Sequence, residues 1–379
     1  MTNKGETRNE EAMNGLGEQH EQDDQQEYDD QQEHDEQHGQ DDRQEQYEQD
    51  DQQEQDDQHG QDDQHDQHDQ HDQHDQHELD QSGFADVYVI QVLYKDKPEL
   101  DREMLYGKMQ QYTGEIHCAE DEEGTGELEE SLAVWESNES EVTEAGGIMH
   151  FFHLNHMIEY QEGALPAQTC IMTSDKPVEE AAFETALQQA WHWPGAREAV
   201  AGCRHSLLLT DFCARGLEYK QRLQLIGGAL RALLETAPCE AIYFQASDKI
   251  VHPQAYAAAL EAGQRLYGAM NLRFYHVHGR DEMIMDTCGL AALGLPDVQC
   301  HFRGMEPNEV ASWVSDIGYY LYEHGDIIQD GETVGSEETR WQCEHQLALA
   351  GPMRYVLDLN PGPEHYAGIQ HHGREQRPE

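Results

Sequence analysis

The first 81 residues contain almost no large apolar side chain. The few that occur are Met1, Met13, Leu16, Tyr28, Tyr47 and Leu79. With so little apolar area to bury, roughly 1–2 kcal/mol of backbone entropy per ordered residue has nothing to oppose it. We therefore predict that residues 1–82 form a disordered acidic tail rich in Asp, Gln and His.

Positive charge is scarce along the whole chain. The sequence has 23 Lys or Arg against 78 Asp or Glu, a formal net charge of −55. Residues 1–80 carry 30 acidic and three basic residues, and the remainder carries 48 and 20, so the two parts have net charges of −27 and −28. Such an excess of one sign disfavours attraction to nucleic-acid phosphates or to an anionic membrane surface. We expect neither as a partner.

Long apolar runs and paired cysteines are also missing. No window approaches the ~18–20 apolar residues of a membrane span, and Lys4 and Arg8 are not followed by the apolar stretch of a signal peptide. None of the eight cysteines forms a C-x-x-C pair. We expect a cytoplasmic protein with reduced thiols.

Residues 83–360 have the composition and patterning of a folded body. β-branched and aromatic residues predict a buried strand at 85–94, and paired strands at 148–160 and 167–172. Apolar residues at helical spacing predict two long helices, over 217–235 and from Pro307 to a stop at Gly325. Their stripes are Leu223, Ile226, Leu230 and Leu233, and Val310, Val314, Ile317 and Leu321.

This mixture of helices and hairpins predicts an α+β fold, with helices covering a mostly antiparallel sheet. The segments 87–209 and 241–359 share a similar order of elements, which suggests two related α/β-plait-like halves. A shorter helix after Pro177 is predicted to bury Phe183, Leu187, Ala190 and Trp191 on one face. The acidic stretch 120–144 is predicted to be a mobile insertion, and residues 361–379 a loose tail.

The N-terminal tail contains a three-residue repeat of His, Asp and Gln. Its histidines are His65, His68, His71, His74 and His77. Imidazole and carboxylate are good ligands for Zn, Ni or Cu, and a flexible chain can wrap several histidines around one ion. The alternative is a repeat that expanded by replication slippage and serves only solubility. The repeat is the candidate metal site of the sequence, for weak binding of these ions.

The common catalytic motifs are absent from the sequence. No G-x-x-x-x-G-K, G-x-G-x-x-G, G-x-S-x-G or H-E-x-x-H pattern occurs, so there is no support for a phosphate cradle, a dinucleotide turn, a nucleophile elbow or a zincin helix. Cys288 and the pair Cys300-His301 could supply a thiolate and its base. Their apolar neighbours favour small buried hydrophobes instead.

Other candidate residues also have a structural alternative. Asp211 follows the predicted strand 206–210 and could be catalytic with Arg215, or could cap the following helix, which is the commoner role. His150, His153 and His156 lie three apart in a predicted strand, whose alternation prevents a single three-histidine site. The tryptophans could line a pocket, but their spacing favours the core. They are Trp191, Trp193, Trp313 and Trp341.

Three segments resemble a known family. They are 190–197 (AWHWPGAR), 238–243 (PCEAIY) and 286–304 (DTCGLAALGLPDVQCHFRG). In these segments the chain is similar to the bacterial family called domain of unknown function 4261, whose label belongs to about 287–359. The resemblance implies a bacterial, cytosolic protein and no activity that can be assigned to a residue.

Three functions are consistent with these features. A non-enzymatic interaction module, adaptor or immunity-like, would dock an acidic face on a basic protein partner. An enzyme, hydrolytic in type, would build its site near Asp211, Arg215, Asp286 and His301. A metal-binding or sensing protein would use the histidine repeat.

Overall fold

The computed structural model describes residues 85–117, 135–136, 147–161, 163–174, 176–336 and 339–369. The predictions for the tail 1–82, for nearly all of the insertion 120–144 and for residues 370–379 lie outside these ranges. Within them the chain forms two sheets and a set of covering helices.

The strands are β1 (Val89–Tyr94), β2 (Ile116–His117), β3 (Trp135–Glu136), β4 (Ile148–Tyr160), β5 (Gly163–Thr173), β6 (His205–Phe212), β7 (Ala241–Phe244), β8 (Lys249–Val251), β9 (Asn271–His276), β10 (Met283–Cys288), β11 (Asp297–Phe302), β12 (Thr333–Gly335), β13 (Arg340–Leu347) and β14 (Tyr355–Asn360). The α-helices are α1 (Arg102–Thr113), α2 (Glu184–Gln188), α3 (Ala196–Gly202), α4 (Tyr219–Thr236), α5 (Pro253–Glu261) and α6 (Pro307–His324). Short 3₁₀ helices span Glu180–Phe183 and Ala291–Leu293.

The strands form two sheets. The first has the order β2-β4-β5-β6-β1-β7-β8, with β3 also paired to β4, and the second has the order β12-β13-β14-β11-β10-β9. The described pairings are antiparallel except for β11 with β14. The predicted α+β class with mostly antiparallel sheets is therefore confirmed.

The first sheet is covered by α4. This helix begins after Glu218, whose carboxylate accepts hydrogen bonds from the N–H groups of Lys220 and Gln221 and so caps the first turn. The predicted stripe on α4 is buried throughout and shares a core with Ile90, Val92 and Leu209 of the sheet. The stripe prediction is confirmed because a 3-4-3 spacing keeps these side chains on one helix face.

The second sheet is covered by α6. Pro307 lies in the first turn, where its missing N–H costs nothing. The helix ends at Gly325, whose φ of +81° favours glycine. Its predicted stripe packs with Val298, Phe302 and Leu359 of the sheet. This second stripe is also confirmed.

The two sheets do not follow the boundary of the proposed duplication. The segment 241–359 contains β7 and β8, and β7 pairs with β1 of the first sheet. The second sheet also contains the parallel pair of β11 and β14, which has no counterpart among the antiparallel pairings of the first. The similar order of elements in the two segments therefore does not correspond to two equivalent packed units.

The segment after α2 joins the outer strands of the two sheets. The Gln189 side-chain amide donates to the Phe274 carbonyl at 3.1 Å and accepts from the Phe274 N–H at 3.0 Å. One ring nitrogen of His192 lies 3.0 Å from the Ile250 carbonyl, on β8. Side chains thus satisfy backbone groups of β8 and β9, the terminal strands of their sheets.

The prediction for Trp191 was wrong. The predicted helix stops at Gln188, and 62% of Trp191 is exposed instead of buried on a helix face. Its indole N–H donates to the Leu272 carbonyl at 3.3 Å, beside the Gln189 contacts on β9. A Trp side chain can bond its N–H to a strand edge while its ring is partly exposed to water, and the spacing of apolar residues does not distinguish this position from a core one.

Residues 361–369 contact the body, where the sequence predicted a loose tail. Tyr366 forms a β-bridge with Phe302, and the N–H of Arg303 donates to the His365 carbonyl at 2.8 Å. Among the described helices, none combines the length and the apolar composition that crossing a bilayer requires.

Candidate functional site

The four residues proposed for an enzyme do not share a site. Asp211 lies on β6 of the first sheet, whereas Asp286 and His301 lie on β10 and β11 of the second. Asp286 and His301 are diagonal neighbours on these strands, but Asp286 is paired with Arg273 and His301 lies beside Glu282. An enzyme built on these residues therefore has no common cleft.

Asp211 is paired with a helix residue. The Arg222 guanidinium donates to both of its carboxylate oxygens, from Nε at 2.6 Å and from Nη2 at 3.0 Å, and the Tyr88 N–H donates to it at 2.7 Å. Both side chains are at most 1% exposed. The expected cap of the following helix was wrong, because Glu218 performs that role and Asp211 instead anchors α4 to the sheet.

Arg215 and His301 have separate partners. Arg215 pairs with Asp86 at the protein surface. His301 Nε2 lies 3.2 Å from Glu282 Oε2, on the second sheet. Burial lowers the pKa of His301, and the nearby Glu282 carboxylate opposes that shift.

A network of buried charges crosses the second sheet. Arg273 of β9 makes a two-pronged pair with Asp286, with Nε···Oδ1 at 2.9 Å and Nη2···Oδ2 at 2.6 Å. Arg354 donates through Nη2 to the same Asp286 Oδ2 at 2.6 Å and through Nε to Asp297 Oδ2 at 3.0 Å. The four side chains are at most 2% exposed. Two positive and two negative charges are thus removed from water together and balance one another.

Asp297 also binds the loop between β10 and β11. Its carboxylate accepts from the N–H groups of Gly289, Leu290 and Ala291 at 3.1–3.4 Å, and from the Thr287 hydroxyl at 2.8 Å. A Cβ at Gly289 would come within 2.0 Å of the Ala269 carbonyl oxygen, so this turn requires glycine. Burial raises the pKa of Asp297, and Arg354 and these donors oppose that shift.

The remaining donors of the network are also used. The third nitrogen of Arg273 donates to the Gly351 carbonyl at 2.8 Å, and Arg354 Nη1 donates to the Ala350 and Pro352 carbonyls, each at 2.8 Å. This set of buried charges is therefore internally satisfied. The arrangement is that of a structural anchor for the 349–354 turn and not of an active site, which needs a group open to substrate.

A second buried polar chain lies beside it. Gln299 Nε2 donates to Asp358 Oδ1 at 2.9 Å, and Gln299 Oε1 accepts from the Leu349 N–H at 2.8 Å. The Tyr366 hydroxyl donates to Asp358 Oδ2 at 2.5 Å. These bonds fix residues 361–369 against β14.

The histidines of β4 do not converge, as their alternation predicted. His153 is fully buried, with Nε2 2.8 Å from the Thr169 hydroxyl, and burial lowers its pKa to about 3. His150 stacks on Phe152 with ring centroids 5.0 Å apart. A strand places these side chains on opposite faces.

The candidate thiols are buried, as their apolar neighbours predicted. Cys288 is 1% exposed and Cys300 0%. Burial raises the pKa of Cys288 to about 12 and that of Cys300 well above its ordinary value. A thiol that stays protonated is a poor nucleophile.

Trp341 is buried in the second core, as predicted, and Trp313 packs over it at 5.3 Å between ring centroids. The histidines of the tail repeat lie outside the part of the chain that the structure describes. Within that part, no group of three or more His, Cys, Asp or Glu side chains is arranged to hold a metal ion.

An acidic cleft follows α6. Asp326, Asp330 and His345 line it together with Ile328 and Gln329, around a space of about 370 Å³. His345 bridges the two carboxylates, with Nδ1 2.7 Å from Asp330 and Nε2 3.1 Å from Asp326. The hydrogen bond to Asp326 raises the pKa of His345 to about 8 against the opposing effect of burial. We name this site the acidic cleft.

A separate cavity of about 210 Å³ lies on the helical side of the first sheet. Residues of α1, α4 and α5 line it, with Tyr322 of α6 and the turn at Gly263 and Arg265. Sequence reasoning missed this cavity. The signal that could have indicated it is the pair Gly227-Gly228 in the middle of a long amphipathic helix.

Residues 286–360 match the model of the family described as Domain of unknown function (DUF4261). This confirms the resemblance found in the sequence over that part of the chain. The matched residues contain most of the buried charge network. No curated protein and no solved structure matches the chain.

Proposed function

We propose that the protein is a non-enzymatic interaction module, adaptor or immunity-like in type, which docks an acidic surface on a basic protein partner. The observation that carries the proposal is the charge of the body, residues 83–360, which contains 45 acidic residues and 18 basic ones. A field of this sign speeds association with a cationic surface and repels anionic ones.

Burial does not account for this charge. The buried charged side chains among the described residues are Arg222, Arg273, Arg354, Asp211, Asp286, Asp297, Glu344 and Asp358. Three positive and five negative groups nearly cancel, so the core leaves the excess of the body almost unchanged. The remaining negative charges of the body can therefore attract a basic partner.

The acidic cleft is the point at which we propose that docking occurs. Asp326 and Asp330 are both about 40% exposed, and the cleft between them is open. His345 holds the two carboxylates together through its ring nitrogens, and its hydrogen bond to Asp326 raises the pKa of His345 to about 8. A Lys or Arg side chain of the partner has the charge and the length to enter the cleft.

The test uses the full chain immobilised as bait, washed at about 50 mM and about 500 mM salt, because salt screens exposed charges. We expect basic proteins to be retained in the first wash and released in the second. The basic protein that is retained most strongly is then purified and titrated against the wild type and against the double variant Asp326→Asn, Asp330→Asn. The double variant should bind this protein at least about tenfold more weakly than the wild type does.

The matched control neutralises two exposed acids elsewhere, in Glu198→Gln, Glu261→Gln. It should bind like the wild type. The interaction proposal would be contradicted if no protein is retained at low salt, or if the retained protein is not released at high salt. Equal losses in the two double variants would contradict the assignment to the acidic cleft.

The enzyme alternative would require other residues than Asp211, Arg215, Asp286 and His301, since these have separate partners in two sheets. For the compartment, we propose the cytoplasm. Support comes from the seven cysteines within the described ranges, all of which are free thiols. Loss of binding to the partner after mild oxidation would support that compartment, and binding that oxidation leaves unchanged would count against it.

We also propose weak capture of Zn, Ni or Cu by the histidine repeat, on the strength of five histidines at a fixed spacing. Calorimetric titration of zinc into the full chain should give heat that disappears when the five are replaced by alanine. Replacement of His20, His34, His38 and His59, which lie outside the repeat, is the control. Unchanged heat in the five-alanine variant would remove the proposal.

A further inference from the structure

The cavity beside α4 is kept open by a glycine that packing does not require. A Cβ at Gly228 would lie 2.7 Å from the Tyr112 carbonyl oxygen, so this glycine permits the close approach of α1 and α4. A Cβ at Gly227 would meet only the Tyr256 hydroxyl, at an ordinary 3.7 Å. Glycine within a helix is unfavourable relative to alanine. A side chain at Gly227 would project into the cavity.

The walls of the cavity are largely aromatic. Four rings line it, from Tyr112, Phe244, Tyr256 and Tyr322, with Leu223, Leu260 and Ala269 between them. Phe244 and Tyr256 are tilted against each other with centroids 5.4 Å apart. A flat aromatic ligand could make offset or edge contacts with these rings, whereas a branched aliphatic ligand could not.

The polar groups of the cavity are positive or neutral. None of its described lining residues is acidic, although acids outnumber bases by 45 to 18 in the body. Arg231 lies over the Tyr112 ring, 4.4 Å from its centroid, and donates to Glu235 at 3.2 Å. The exposed Arg265 guanidinium has no hydrogen bond or ion pair to another described residue. A guanidinium presents a planar pair of donors that fits a carboxylate.

We propose that this cavity is a binding site for a small aromatic carboxylate, with the ring among Tyr112, Phe244, Tyr256 and Tyr322 and the carboxylate on Arg265. Its volume of about 210 Å³ is smaller than the ~300–1,000 Å³ usual for drug-sized ligands. The ligand is therefore a single ring system with a short acidic side chain.

The experiment measures binding of 3-phenylpropionate to the full chain by calorimetry and by ligand-observed NMR. The uncharged 3-phenylpropanol is the matched probe, because it keeps the ring and the chain length. We expect the carboxylate to bind at least about tenfold more tightly than the alcohol, which is the effect of one charge-assisted hydrogen bond.

Two variants locate the site. Gly227→Leu fills the cavity and should abolish binding, whereas Gly107→Leu places the same side chain on an exposed helical glycine with open space around it and should not. Arg265→Gln should weaken the carboxylate about tenfold and leave the alcohol unchanged. Arg280→Gln, at an exposed arginine outside the cavity, is its control.

Equal binding of both probes, absence of binding by the wild type at about 5 mM carboxylate, or full binding by Gly227→Leu would each overturn the proposal. If Gly227→Leu does not fold, as judged by circular dichroism, the surface variant Arg265→Gln decides. Retention of a basic partner at the acidic cleft is measured independently, so failure of one proposal is distinguishable from failure of the other.

Discussion

The two sheets of the body are stabilised by different kinds of interior. The first sheet and α4 share a broad apolar core with one buried ion pair, between Asp211 and Arg222, and an adjacent open cavity. The second sheet carries a four-charge network through Arg273, Asp286 and Arg354 to Asp297. Apolar packing tolerates a space beside it, whereas a buried charge must keep every partner in place.

This comparison predicts the largest effect for Arg354→Met in the second region. Asp286 and Asp297 would lose charged donors while staying buried, and we expect the free energy of unfolding to fall by about 3–5 kcal/mol. Urea denaturation measures the loss. Arg303→Met, which removes an exposed arginine from a neighbouring strand end, should change stability by less than about 0.5 kcal/mol. Comparable losses in both variants would refute the role of the network.

In the first region, Arg222→Met should lower the free energy of unfolding somewhat less, by about 3 kcal/mol. Asp211 would lose its charged partner but would keep its hydrogen bond from the Tyr88 N–H. Adding Asp211→Asn removes the unpaired charge and should restore part of that loss. Denaturation of the single and double variants gives the coupling directly. A double variant that is less stable than Arg222→Met alone would contradict this account.

Two neighbouring glycines of α4 in the first region are expected to respond to alanine with opposite signs. Gly228→Ala would force a methyl group against the Tyr112 carbonyl and should cost about 1–3 kcal/mol. Gly227→Ala has room and should stabilise the helix by about 0.5–1 kcal/mol. Thermal melts of the two variants test the opposite signs. If both substitutions destabilise the protein, the wall of the cavity at Gly227 is as tightly packed as the contact between α1 and α4 at Gly228.

The last effect concerns pH and the acidic cleft of the second region. The pKa of His345 rises from about 6.5 in the unfolded chain to about 8 in the folded protein. Protonated His345 therefore contributes about 1–2 kcal/mol to the free energy of unfolding. This contribution is complete below pH 6.5 and is lost as pH rises through 8. The difference in stability between pH 6 and pH 9 should shrink in His345→Gln. An unchanged difference would show that this histidine is not the titrating group.

The helices that face the sheets were predictable because their signal is local. The stripes of α4 and α6 need only the 3.6-residue period, and both are buried as predicted. The position of Trp191 was not predictable, since its carbonyl partner belongs to Leu272, far along the chain. Spacing in sequence contains no information about which strand edge lies nearby.

The candidate sites also combine features that the sequence indicates locally with features that depend on distant residues. Charged residues inside apolar strands, such as Asp286 and Asp297, indicate that buried partners exist, but not which ones. Arg273 and Arg354 meet on one carboxylate although 81 positions separate them. The cavity depends on α1, α4 and α5 at once, so only the double glycine of α4 hints at it in the sequence.

Composition and local spacing are enough to predict the charge of the chain, the class of fold, the periodic faces of its long helices and the burial of its thiols. Each of these follows from composition or from residues within one or two turns of one another. The folded protein was needed to identify which charges neutralise each other, which glycine leaves a space and where an acidic cleft opens. These depend on distances between segments that the chain brings together, because charge pairing and packing act over a few ångströms of space and not over positions in sequence.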